Sequence, residues 1–198
     1  MAVGRIDSKF RPGLDLPVRA DDYRMLTGLI AWDRLDDRDL PTSGVALALR
    51  GERALRSLGA SVEYWRLLAD GRAALGLSHG FVVEGSALLG LSGRDVPIYD
   101  WYRLGGPVFR PGRPREEVWG RQVVALAVAP ACDWRGFRVS LRAGAGKVFD
   151  DRRDLSLRGL RGGIGLGLAR RTPFAPVALE AGVDEEGHAA FYLSVGRW

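Results

Sequence analysis

One alternation restricts this chain more than any other feature. Over residues 137–149, Phe137, Val139, Leu141, Ala143 and Ala145 fall on one side of an extended backbone. Arg138, Ser140, Arg142, Gly144 and Gly146 fall on the other, because successive strand side chains point to opposite faces. A soluble strand alternates too, so the segment alone decides little. What constrains the fold is recurrence: the same period-two pattern returns along nearly the whole chain with hardly any helical stretch. The polar face repeats arginine and glycine, and the apolar face carries no charge near its middle. In hydrocarbon every backbone group must be paired, so a sheet greasy outside and wet inside has to curl round on itself. The pattern therefore predicts an all-β, antiparallel up-and-down transmembrane β-barrel.

Residues 23–34 make the first full strand, with Met25, Leu29 and Ala31 on one face. Residues 36–44 (DDRDLPTSG) are dense in turn formers. Residues 45–53 set Val45, Leu47 and Leu49 against Ala46, Ala48, Arg50 and Glu52. Residues 62–75 set Trp65, Leu67, Ala69, Ala73 and Leu75 against Tyr64, Arg66, Asp70 and Arg72. Further strands are expected over 81–91, 118–129, 137–149, 160–168, 176–183 and 189–198. Joints at 77–80, 130–135 and 170–174 are short, whereas those at 92–115 and 150–158 are long. Such barrels turn tightly on the periplasmic side and loop widely outside, so 92–115 reads as a long outer loop. Residues 8–22 then also lie outside, residues 2–7 are the stump of an upward strand, and the total comes to about ten.

Formal net charge is +5, with a pI near 9.9, a balance that invites nucleic acid or an anionic surface. The basic residues are nevertheless spread singly along strands, and Lys9 and Lys147 are the only lysines. Without a basic cluster interleaved with aromatics, nucleic acid is not an expected partner. Cys132 is the sole cysteine, which rules out an internal disulfide and a cysteine-based zinc site. His79 and His188 have no metal-ligand spacing, so neither a cofactor nor a metal is expected. No run approaches the ~20 apolar residues of a membrane helix. Residues 1–14 carry Arg5, Asp7, Lys9 and Arg11 where a signal peptide has its apolar core, and the chain reads as truncated at its N-terminus.

Two motifs with catalytic associations fail on context. Gly76-Leu-Ser-His-Gly80 fits G-x-S-x-G, but the nucleophile elbow needs a helix behind it, and a period-two segment follows; a hairpin turn is expected. Gly144-Ala-Gly-Lys147 resembles part of a phosphate loop. Leu141 and Val148 stand where that motif requires glycine and a hydroxyl residue. No catalytic residue is expected. Arg121, Arg138, Arg142, Arg161 and Glu180 map to the polar face and read as a lumen wall with opposite charges paired across strands. Trp65, Trp119, Trp134, Trp198 and Tyr192 lie near strand ends, where interface girdles sit.

The segments Tyr99-Asp-Trp-Tyr-Arg-Leu-Gly-Gly106, Leu40-Pro-Thr-Ser-Gly44 and Ala190-Phe-Tyr-Leu-Ser-Val-Gly-Arg-Trp198 together resemble a known family. They are similar to the C-terminal barrel of the BamA-like outer-membrane superfamily, the bacterial surface antigens, and most of all to the barrel of bacterial patatin-like phospholipases. The resemblance covers about residues 30–198. It implies a single barrel domain or barrel fragment over 1–198 in the bacterial outer membrane, without the family's soluble N-terminal domains. It also implies a role in polypeptide insertion or translocation, or as membrane anchor of an exported lipase, with no catalysis in this chain. The partners implied are outer-membrane lipid, the barrel assembly machinery and, through open barrel edges, a second copy.

The family's inward-folded loop maps onto Leu104, Gly105, Gly106, Arg110 and Gly112. That loop usually carries an Arg-Gly-aromatic triplet. Here Pro111 and Arg113 flank Gly112, and Arg110 stands one place early, which leaves open whether Arg110 replaces the family arginine. Phe191, Leu193, Val195 and Trp198 are implied as a C-terminal assembly signal. The competing reading is a soluble β-barrel or sandwich that binds an apolar ligand. It predicts Leu141, Leu166 and Leu193 packed against a second layer, with Arg142 in bulk solvent.

Overall fold

Alternating segments joined by tight turns can satisfy their backbone groups only by pairing with antiparallel neighbours. The computed structural model describes the backbone of residues 2–7 and 20–196, with side chains from Arg24 onward. Its strands are β1 (Ala2–Asp7), β2 (Ala20–Asp33), β3 (Gly44–Ala54), β4 (Tyr64–Gly76), β5 (Phe81–Ser92), β6 (Tyr102–Leu104) and β7 (Val118–Gly120). They continue with β8 (Gln122–Trp134), β9 (Phe137–Phe149), β10 (Arg161–Arg170), β11 (Val177–Asp184) and β12 (Ala189–Val195). Ten of them form one antiparallel sheet in the order β1-β2-β3-β4-β5-β8-β9-β10-β11-β12, while β6 and β7 pair with each other inside the long loop. Among the described residues β1 and β12 share no ladder, so the sheet is a partial barrel.

Its curvature follows from contacts that a flat sheet forbids. β3 and β10 lie five ladders apart, about 24 Å at ~4.8 Å per ladder. Yet the turn leading into β3 touches the far strands: Arg138 Nη1 donates to the Pro41 carbonyl at 2.7 Å and Arg171 Nη2 to the Leu40 carbonyl at 3.1 Å.

The two faces separate as the alternation requires. Val139, Leu168, Leu179 and Leu193 lie opposite one another across four strands, and Leu141, Leu166, Ala181 and Phe191 form the next row. Leu141, Leu166 and Leu193 are 51%, 63% and 70% exposed, whereas the side chains of Arg138 and Arg142 keep 3% and 13%. No second layer covers the apolar rows among the described residues, which removes the sandwich reading.

Several expectations shift. The strand expected to end at Ala129 runs on to Trp134, and the turn falls at Arg135 and Gly136, both with positive φ. Pro130 is tolerated because the ladder to β9 skips it while the chain stays extended beside β5. That strand also starts at Gln122, since residues 118–120 pair with the loop strand β6. On β2, Met25 is buried on the inner side, and Ile30 and Trp32 face out beside Leu49 and Leu47. Tyr192 does not join a girdle: it is buried and points inward. Trp134 is exposed at its strand end, Trp119 sits on β7, and Trp198 lies outside the described residues. The G-x-S-x-G segment is a hairpin closed by Leu77 N–H to the Phe81 carbonyl at 2.7 Å, with His79 and Gly80 left-handed.

Candidate functional site: the inward loop and its seat

Between β5 and β8 the chain folds back along the inner wall. Its entry is fixed by Asp100, which accepts from the Tyr64 hydroxyl and from Arg66 Nη1 at 3.1 Å; Arg66 also pairs with Glu52 at 3.2 Å. Beyond this anchor, Tyr102 and Leu104 pack with Val123 and Ala125, and Leu68, Leu88, Phe109, Val118 and Val148 join them. Leu68, Leu88 and Val123 thus face inward. The interior is not uniformly wet, because the loop brings apolar side chains of its own to cover this part of the wall.

Further along, glycines make room for the loop backbone. A Cβ on Gly144 of β9 would lie 2.2 Å from the Val108 carbonyl oxygen, and one on Gly163 of β10 would lie 2.1 Å from that of Pro111. On β11, a Cβ on Gly182 would lie 2.7 Å from the Gly112 nitrogen. Three adjacent strands therefore form a track without side chains, which is the use for glycine where another backbone approaches closely. Gly112 itself is left-handed at φ 92°, and a Cβ there would come within 2.4 Å of the Asp184 nitrogen. Gly105 and Gly106 are also at positive φ and turn the chain from β6 into the loop.

The arginine that ties the loop to the wall is Arg113. Its guanidinium bonds Asp184 and Glu186 on the β11–β12 hairpin and Glu117 at 2.9 Å within the loop. The Asp184 side chain is fully buried and also accepts from the N–H of Glu186 at 3.0 Å and of His188 at 2.8 Å. The Tyr192 hydroxyl donates to the Arg113 carbonyl at 2.6 Å, and Arg115 Nη2 donates to Ser194 Oγ at 2.7 Å. Arg110 is itself buried, at 4% exposed, but its Nε has no hydrogen-bond partner among the described residues. Its backbone instead shapes the loop, donating to the Gly106 carbonyl and accepting from Arg113 N–H, both at 3.1 Å.

The remaining sequence-derived residues fall as follows. Arg138 holds Asp133 through two bonds of 2.7 Å and Glu84 at 3.0 Å. Arg142 pairs with Glu180 at 3.6 Å. Arg121 lies over the Trp101 ring, 5.6 Å from its centroid. Arg161 stands apart at the rim, 63% exposed and bonded to Glu186 at 2.7 Å. Phe191, Leu193 and Val195 project outward from β12 and are exposed.

Sequence reasoning missed Arg113, Asp184 and Glu186. The signal was an acidic hairpin tip without a nearby basic partner, facing a loop with arginine to spare. Asp184, Glu186 and His188 come within 4.8 Å of one another, but both carboxylates are engaged by Arg113. What the assembly does chemically is hold a segment of backbone against a wall.

Comparison with known proteins matches this architecture. The Omp85 superfamily domain aligns with residues 19–197. The crystal structure of BamA from Haemophilus ducreyi lacking POTRA domains 1–3 superposes with a TM-score of 0.75 at 15% sequence identity. That match covers 89% of this chain and 43% of the BamA chain, so this chain spans less than half of that protein. No curated protein matches it. A curled antiparallel sheet with an exposed, outward-facing apolar surface, an inward loop seated on glycines, and a superfamily match along nearly its whole length lead to one conclusion: the chain belongs to the Omp85 superfamily and is a BamA-like β-barrel protein of the bacterial outer membrane.

Proposed function

We propose that this barrel inserts or passes polypeptides at the outer membrane, with β12 as its working edge. The observation that supports this is the pairing of β12: among the described residues it has a ladder to β11 alone. A strand paired on one side offers a row of free N–H and C=O groups that templates an incoming strand. Its outward residues Phe191, Leu193 and Val195 meet lipid, and with Trp198 they form the signal read by the barrel assembly machinery. Arg113, Arg115 and Tyr192 hold the loop to the same β11–β12 pair, keeping the wall beside the edge in register. This reading gives the chain no chemistry of its own.

The test uses the chain reconstituted in phospholipid vesicles, to which a urea-unfolded outer-membrane barrel is added. Faster folding of the added barrel than in empty vesicles is expected, and an unchanged rate refutes the reading. A second reading, anchorage of an exported patatin-like lipase, is favoured by the forms of residues 40–44 and 99–106 and predicts that unchanged rate. Deleting Trp198 should lower membrane incorporation of the chain itself.

A further inference from the structure

The turn between β2 and β3 reaches across the end of the partial barrel opposite the end from which the inward loop enters, and its attachment differs in kind from that of the loop. Asp36 braces it internally, accepting from the N–H groups of Asp37, Thr42 and Ser43 at 3.0, 2.9 and 3.0 Å and from the Thr42 hydroxyl. Asp37 accepts from the N–H of Asp39 and of Leu40, each at 2.8 Å. The braced turn carries Leu40 and Pro41 into the mouth, where both are buried. Three arginines from separate parts of the wall donate to its carbonyls: Arg72 to Arg38 at 3.2 Å, Arg171 to Leu40 at 3.1 Å and Arg138 to Pro41 at 2.7 Å. Behind the turn lies a small polar cavity lined by Glu84, Arg138, Arg142 and Glu180. A larger cavity of about 300 Å³, which shares Arg142 with it, reaches Phe109 of the inward loop.

The difference lies in what each segment leaves behind. Withdrawing Arg113 breaks its ion pairs to both Asp184 and Glu186 of the wall and leaves Asp184 with backbone N–H donors and His188 alone. Breaking a buried ion pair by removing one partner is unfavourable. Withdrawing residues 38–41 strands nothing comparable. Arg138 keeps Asp133 and Glu84, Arg72 keeps Glu84 at 3.6 Å, and Arg171 gives up its 2.9 Å pair with Asp37 but, already 58% exposed, exchanges it for water. The freed carbonyls leave the mouth with the turn and are solvated by water. Apart from the Arg171–Asp37 ion pair at 2.9 Å, the arginines grip backbone carbonyls, so their hold does not depend on the side chains of Leu40 and Pro41 in the mouth.

We propose that residues 36–43 are a displaceable stopper, seated in a cradle of Arg72, Arg138 and Arg171, which closes this mouth and leaves it as a braced unit while the inward loop stays docked. The test is cysteine accessibility in the full chain, reconstituted in vesicles with Cys132→Ser as background. A water-soluble maleimide should label Leu40→Cys at least about ten-fold more slowly than Ser43→Cys, which is exposed on the same turn, because labelling waits on local opening. Adding Arg72→Gln and Arg171→Gln, which leaves Arg138 and its carboxylates intact, should bring Leu40→Cys up to the Ser43→Cys rate. Asp36→Ala, which loosens the turn from within, should do the same. Folded protein is identified by its heat-modifiable gel migration in every variant. Equal labelling of the two cysteines in the background protein overturns the proposal, as does slow labelling of Leu40→Cys that persists in both folded variants.

Discussion

Gly144→Ala is the sharpest probe of the seated loop. The three heavy atoms nearest the new methyl all belong to the loop: the Val108 carbonyl oxygen at 2.2 Å, Phe109 Cα at 3.0 Å and the Phe109 carbonyl carbon at 3.1 Å. A carbon sits about 3.3–3.6 Å from a carbonyl oxygen, so the loop must retreat by about 1 Å. A gap of that size forfeits about a quarter to a half of the dispersion attraction between the surfaces it separates. Overpacking of this kind costs about 1–3 kcal/mol. At about 1.4 kcal/mol per factor of ten, the undocked loop becomes about 5- to 150-fold more populated. Hydrogen exchange read by mass spectrometry should show amides of residues 102–120 exchanging faster by that factor, with the ladders of β8 and β9 unchanged. Gly85→Ala is the control, since its Cβ would meet nothing within 4 Å. Unchanged loop exchange in Gly144→Ala, or equal acceleration in Gly85→Ala, refutes the glycine seat.

Three further outcomes follow from named contacts. Arg113→Met should accelerate exchange in the same loop amides, whereas Arg110→Met, which keeps the packed stem and removes a guanidinium with an unpartnered Nε, should not; the same exchange experiment separates them. Burial raises the Asp36 carboxyl, but bonds from the Thr42 hydroxyl and from Ser43, Thr42 and Asp37 N–H outweigh it and hold the group at about 2, against an ordinary 3.8. Its contribution is therefore complete above 3.8 and lost as pH falls through 2, so thermal unfolding should ease across that window, and less so in Asp36→Asn. Leu166→Arg, on the exposed apolar row, should reduce the fraction folded into vesicles, as a cation on the lipid face costs about 2–4 kcal/mol near the midplane; unchanged incorporation would place that row outside the bilayer.

The alternation over 137–149 was enough to assign faces. Leu141 and Arg142 could not exchange sides without shifting the whole register, and the observed rows follow it. Strand limits were less legible where the chain departs from repeating chemistry. Pro130 looked like a turn because proline breaks ladders, yet a position that a ladder skips does not need its N–H. Tyr192 resembled a girdle aromatic by sequence position, but its parity turns it inward to the Arg113 carbonyl.

What the sequence determined by itself was local and periodic: which residues share the apolar face, and where short turns reverse the chain. Those properties depend on neighbours one or two positions away, so one chain read in order displays them. Which glycines seat a loop, which of two nearby arginines bonds the wall, and which turn crosses the opposite mouth were decided by the curling of the sheet. Arg113 and Asp184 are 71 residues apart, and Arg171 and Leu40 are 131. Only closure in three dimensions brings such groups within bonding distance, and no periodicity along the chain encodes that meeting.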